Sequence, residues 1–180
     1  MKKLLLILVF VFIASPVYAA KVTSDDVAQL ITRMQTIMNR RDAESFQTFF
    51  GYYADSEARF LKTSYLVDAN DPKTILAQES LNMDRKQYIA YLDTILNPPS
   101  KYVYQATINS IAMDDSKSQA LISYSTQEYA TNSLFDDSHH RIGEEVSLIH
   151  ANCNMIASYS GSDVVILSIN CSEKISKKRS

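Results

Sequence analysis

The chain has no tryptophan, three glycines, two cysteines and three histidines among its 180 residues. Each scarcity excludes something. No glycine-rich stretch is present to cradle a phosphate, and no serine sits in a nucleophile-elbow context. The cysteines, Cys153 and Cys171, are too far apart for the C-x-x-C spacing of a redox dithiol. There is no internal repeat, no low-complexity segment and no basic excess. The one long apolar run, residues 4–14, is shorter than the roughly 20 residues that span a bilayer comfortably.

That run belongs to "MKKLLLILVFVFIASPVYAA". Lys2 and Lys3 form a positive start, Pro16 breaks the apolar stretch, and Val17-Tyr18-Ala19 suits a signal peptidase. Residues 1–19 therefore read as a cleaved signal peptide, and no cysteine follows to take a lipid anchor. The expected address is the periplasm or the exterior. Taking two of the 18 basic residues and none of the 20 acidic ones leaves a formal charge of −4. A mildly acidic surface argues against nucleic acid as a partner. The rest suits one domain, residues 20–174, with a frayed basic tail at 175–180.

"TSDDVAQLITRMQTIMNRRD" reads as an amphipathic helix. Thr23 or Ser24 caps it, and Val27, Leu30, Ile31, Met34, Ile37 and Met38 share one face. A second helix starts at Asp42, buries Phe46, Phe49 and Phe50, and is expected to stop at Gly51. Residues 58–68 read as a strand, "DANDP" as a turn and residues 73–82 as a returning strand. A third helix follows, with Asp84 and Gln87 at capping-box spacing, and Pro98 and Pro99 end it. The period then drops to two. Residues 101–113 and 118–130 form a hairpin, residues 131–143 read as a polar loop, and residues 144–159 and 163–173 form a last hairpin. Helices segregated from a mostly antiparallel sheet make an α+β domain.

Two stretches carry a family likeness. One is "VAQLITRMQTIMNRRDAESFQTFFGYYADSEARF", with its Asn39-Arg40-Arg41-Asp42 step between helices. The other is "MDRKQYIAYLDTIL" followed directly by a strand meander. This order resembles the NTF2-like superfamily, cone-shaped domains whose N-terminal helices pack in a strongly bent, mostly antiparallel sheet. The resemblance covers nearly all of the chain after the leader. It implies no single chemistry, because such folds serve isomerases, dehydratases, cyclases, secretion-system subunits and binding-only proteins. The steroid isomerases of the superfamily place a tyrosine where Met34 falls and an aspartate base near Leu61. Neither Met34 nor Leu61 does that work, and the neighbours Phe60 and Lys62 supply no carboxylate.

Other constellations are weak. Asp136, Asp137, His139 and His140 share one polar loop, but adjacent histidines seldom project to one point, and no metal is expected there. Asp68, Asn70 and Glu79 mimic a calcium loop, which Pro72 and Lys73 spoil. Tyr102 and Tyr104 share a strand face, as do Ile122 and Tyr124. Turned inward, these faces line a cavity with Met34 and Tyr88; turned outward, they build a homodimer surface. Asp55, Glu57 and Glu128 are the nearest candidates for an acid–base group, with the surface the simpler place for each.

The last hairpin can be registered by symmetry about Ser162, so that opposed residue numbers sum to 324. Cys153 then faces Cys171, Met155 faces Ile169, Ala157 faces Leu167 and Tyr159 faces Val165. The other face pairs His150 with Lys174, Asn152 with Ser172 and Asn154 with Asn170, a polar surface. An apolar face that holds both cysteines supports this register, because a one-residue slip would reverse one strand. In an oxidising compartment such opposed cysteines form a structural disulfide. The expected function is a non-catalytic exported domain, without cofactor, that binds a small apolar ligand or an envelope protein. A secretion-system subunit and a lyase- or isomerase-type enzyme are the alternatives.

Overall fold

A computed structural model describes residues 21–95, 101–116, 118–161 and 163–179. The expected leader, the expected Pro98–Pro99 stop and the hairpin centre Ser162 lie outside the described residues. Three helices precede or interrupt six strands: α1 (Ser24–Arg40), α2 (Ala43–Tyr53), β1 (Ala54–Val67), β2 (Ile75–Asp84), α3 (Arg85–Ile95), β3 (Lys101–Met113), β4 (Gln119–Phe135), β5 (Arg141–Ser160) and β6 (Asp163–Arg179). The strands form one bent, unclosed sheet in the order β2-β1-β6-β5-β4-β3. Only β1 and β6 run parallel among these neighbours. The domain is α+β.

The caps act as their residue types dictate. Thr23 and Asp26 form a capping box on α1, each side chain accepting from the other's backbone N–H. Asp84 and Gln87 do the same for α3. Val27, Leu30, Ile31, Met34 and Met38 of α1 are buried, as the stripe requires. The end of α1 also completes an edge of the sheet. The Asn39 side chain donates to the Tyr104 carbonyl and accepts the Tyr104 N–H, both at 2.8 Å, and Gln35 Oε1 accepts the Ala106 N–H at 2.9 Å. Two helical amides thus take up backbone groups of edge strand β3 that no further strand pairs.

Four expectations need correction. Gly51 does not stop α2, which runs to Tyr53. A Cβ at Gly51 would meet nothing within 4 Å, so the residue is an ordinary exposed helical position. The helix ends where Ala54 turns extended to enter β1. Most of the polar loop at 131–143 is strand: Thr131 through Phe135 pair with Val146 back to Arg141, leaving a turn at 136–140. This rim of the sheet lacks a regular apolar alternation, so no strand period shows in its sequence. The basic tail is strand too, with Lys177 and Arg179 paired to Ser147 and Glu145. Finally, the last hairpin keeps its symmetric register from Arg179 only as far as Ser168. A bulge then sets Ala157 opposite Ile166, not Leu167, and Tyr159 opposite Val164, not Val165.

Cys153 and Cys171 are joined in a disulfide, S–S 2.02 Å, across β5 and β6. The pairing reads across the whole sheet as successive inner rows. Met83, Phe60, Ile169, Met155 and Ile122 form one row, every member buried. Two residues along each strand comes Leu81, Lys62, Cys171, Cys153 and Tyr124. Two further on comes Glu79, Ser64, Glu173, Ala151 and Thr126.

Candidate functional site

The helices pack on the first of these rows, and the later ones line a cavity. Phe50 lies edge-on to Phe60, with centroids 6.0 Å apart, and Tyr88 of α3 stacks flat on Phe60 at 4.1 Å. Beyond this floor the cone holds a cavity of about 400 Å³. Met34, Met38, Phe46 and Leu92 line its apolar part, and Arg41, Lys62, Ser64, Glu128, Glu173 and Lys177 its polar part. An apolar enclosure with a few placed polar groups is the ordinary make-up of a small-molecule site.

Two charged clusters face this space. Lys62 Nζ contacts Glu173 Oε1 at 2.9 Å and donates to the Tyr91 hydroxyl at 2.7 Å, while the Ser64 hydroxyl also donates to Glu173 Oε1 at 2.7 Å. Burial alone would drive the proton off Lys62, but the Glu173 carboxylate and the Tyr91 hydroxyl more than offset it, and the amine is held above its ordinary range. The second cluster is Tyr102 and Glu128. The Tyr102 hydroxyl donates to Glu128 Oε2 at 2.9 Å. Burial pushes the Glu128 carboxyl up and Glu173 adds to this, against the opposing bond from Tyr102. Burial also raises Tyr88, Tyr102, Tyr104 and Tyr124, so these hydroxyls stay neutral at ordinary pH.

Local sequence explains the placement of Arg41. It follows the last turn of α1 in the left-handed region, φ 53°, and its N–H caps the Ile37 carbonyl. The chain supplies no glycine there, so an arginine adopts a conformation that glycine usually fills. Its guanidinium then lies 4.1 Å from the centroid of the Tyr102 ring.

Met34, Tyr88, Tyr104 and Tyr124, the expected pocket residues, all line this cavity. Their strand faces turn inward. His150, Asn152, Asn154 and Asn170 lie exposed on the opposite, outer face. Cys153 and Cys171 sit on the inner face, so the disulfide is part of the cavity wall. Of the three acidic candidates, Glu57 is exposed and Asp55 half-buried, and neither lines the cavity; the expectation that Glu128 is a surface group is wrong. His139 and His140 are exposed in the 136–140 turn, where Asp136 Oδ1 accepts the Ser138 and His140 N–H groups. Asp68 and Asp71 organise the 68–74 turn in the same way. Among the described residues no group of three or more His, Cys, Asp or Glu is placed to hold a metal ion.

Sequence reading missed Lys62 and Glu173 as site residues, yet a signal existed. In β6 the inward positions run Ile169, Cys171, Glu173, Ile175, Lys177, and in β1 they run Phe60, Lys62, Ser64. Charges at the core-facing parity of an otherwise apolar strand need a partner or a cavity, and here they have both.

No protein-family model matches the chain, and no curated protein does. Solved structures do resemble it. The Kfla4162 protein from Kribbella flavida overlays with a TM-score of 0.55 at 10% identity, over 83% of this chain and 88% of that one. An uncharacterised Caulobacter vibrioides protein with a cystatin-like fold gives 0.52 at 12% identity, over 84% and 88%. A putative scytalone dehydratase from Novosphingobium aromaticivorans gives 0.50 at 8% identity, over 86% and 83%. Identities this low speak for the fold alone. Three helices laid in a bent, unclosed six-stranded sheet, with overlaps over 83–86% of the chain, make this an NTF2-like cone fold.

Proposed function

We propose that the chain is an exported domain that binds a small amphipathic molecule inside its cone. One observation carries this reading: the cavity is open and graded, apolar at Phe46, Phe60 and Leu92 and polar at Lys62, Glu128 and Glu173. A cone built only as a core would have no reason to carry charges on its inner face, because burying them without a ligand or solvent path is costly. The leader at residues 1–19 and the disulfide support export. The described residues include no helix long and apolar enough to cross a membrane.

The test is uptake of a neutral naphthylamine dye by the oxidised mature protein, compared with Ala130→Trp. Ala130 lines the cavity and is half-buried, so the indole fills space without displacing the floor. The expected result is dye binding that the variant loses while its circular dichroism spectrum is unchanged. Equal binding by both proteins sinks the reading. N-terminal sequencing of the exported protein should begin at Ala20, and an intact Met1 would remove the export half of the proposal.

An acid–base enzyme is the second reading, favoured by the Glu128–Tyr102 pair alone. A carboxyl raised by burial beside a neutral hydroxyl is the chemistry a proton-transfer site uses. Turnover lost in Glu128→Gln, for any ligand found by the dye-displacement assay, would promote that reading over simple binding.

A further inference from the structure

The charges that line the cone do not balance evenly. Lys62 is held by Glu173 at 2.9 Å. Lys177 is held by Glu145 at 3.2 Å, and Arg179 reinforces Glu145 at 3.0 Å. Arg41 is engaged over the Tyr102 ring. The cations are thus all occupied. Among the anions, Glu79 is exposed to water on edge strand β2. Glu128 differs from both groups. It lines the cavity, and among the described residues it accepts one hydrogen bond, from the neutral Tyr102 hydroxyl at 2.9 Å, which leaves its other oxygen without a donor.

We infer that the cone selects an organic cation, whose ammonium head docks on the open oxygen of Glu128 while its apolar body lies between the floor and the tyrosine rings. This rests on the reading of the cone as a ligand site. Three further features favour a cation over an anion. An ammonium supplies the charged donor that Glu128 lacks, and charged hydrogen bonds in enclosed sites are the stronger kind. Tyr88, Tyr104 and Tyr124 surround the space with rings whose faces attract cations. An anionic ligand would have to compete with Glu173 for Lys62 or with Glu145 for Lys177.

Binding of this kind is linked to protons. A cation prefers the ionised carboxylate, so acidification through the raised Glu128 range weakens it. Lys62 keeps its charge and the four tyrosines keep their protons over that interval, because all five are held high.

The experiment is calorimetric titration of the oxidised mature protein with three probes that share an eight-carbon chain: octylamine, octanol and octanoate. At neutral pH octylammonium should bind tighter than octanol by about tenfold or more, the worth of one charge-assisted hydrogen bond. Octanoate should bind weakest. Glu128→Gln should bring octylammonium down to the octanol level, and an unchanged circular dichroism spectrum shows that the cone is intact. Affinity of the unaltered protein for octylammonium should fall on acidification, and Tyr102→Phe should move the midpoint of that fall to higher pH. Equal affinities, a preference for octanoate, a flat pH dependence or an undiminished preference in Glu128→Gln each overturns the inference. Binding of none of the three overturns the inference together with the proposed function.

Discussion

Two inner rows of the sheet lie four residues apart on the same strands. Met83, Phe60, Ile169, Met155 and Ile122 are all buried, and α2 and α3 pack on Phe60. Glu79, Ser64, Glu173, Ala151 and Thr126 share the ladder, the face and the pleat, but they border the cavity. The strand pairing is the same in both rows; only the cover differs. Where a helix seals the sheet, dispersion and apolar burial decide the residue types. Where none does, charged groups are admitted if they pair, as Lys62 and Glu173 do. The disulfide row lies between the two, apolar at Tyr124 and Cys153 and charged at Lys62.

If the sealed end carries the stability, damage there should be the most costly. Phe50→Ala removes a fully buried ring packed on Phe49, Phe60 and Tyr88. It should cost about 3–5 kcal/mol in urea unfolding, and a loss under about 1 kcal/mol would erase the distinction between the rows. The boundary row comes next. The double change Cys153→Ala, Cys171→Ala opens a loop of sequence separation 18 and should cost about 3 kcal/mol in the chain-entropy picture, read as a lowered Tm.

The Lys62–Glu173 pair, which joins the boundary row to the open row, should respond less, and through its charges. Lys62→Met leaves Glu173 buried without its cation, a loss of about 2 kcal/mol because the cavity lets in some water. Adding Glu173→Met should recover most of it; no recovery would mean that the pair is needed for more than mutual neutralisation.

The smallest effect is expected at Glu128. Glu128→Gln should change stability by less than about 1 kcal/mol near neutral pH, but it should alter the pH profile. The folded-state pKa of Glu128 is raised, so the folded protein binds that proton more tightly than the unfolded chain does. Its contribution is best on the acid side and declines as pH rises from the ordinary glutamate range through the raised value. Glu145, lowered first by its Arg179 hydrogen bond, has the opposite sign: its contribution is present above the ordinary glutamate range and is lost as pH falls through the lowered value. Denaturation curves of Glu128→Gln and Glu145→Gln across pH should diverge in these directions, and parallel curves would contradict the placement of both groups.

Much of the fold was legible because local chemistry repeats at fixed spacing. The α1 stripe, the Thr23 and Asp84 caps and the opposition of Cys153 to Cys171 follow from periods of 3.6 and 2. The extension of β4 and β5 beyond residue 130 was not legible, since Asn132 to Phe135 and Arg141 to Glu144 lack an apolar alternation to betray a strand. The bulge at Leu167 was equally silent, because either residue of Ile166 and Leu167 could serve a core-facing position. At the site, the tyrosines were legible as inward faces. Glu128 was legible only as a carboxylate with no known address.

Sequence by itself determined which residues share a face, where helices begin and which cysteines oppose each other, because these depend on neighbours a few positions away or on one hairpin. Tertiary structure alone decided that Lys62 meets Glu173 and that the cone stays open above Phe60. Those facts depend on a parallel pairing of β1 with β6 across more than a hundred residues and on how far three helices reach along the sheet. No local period encodes either one.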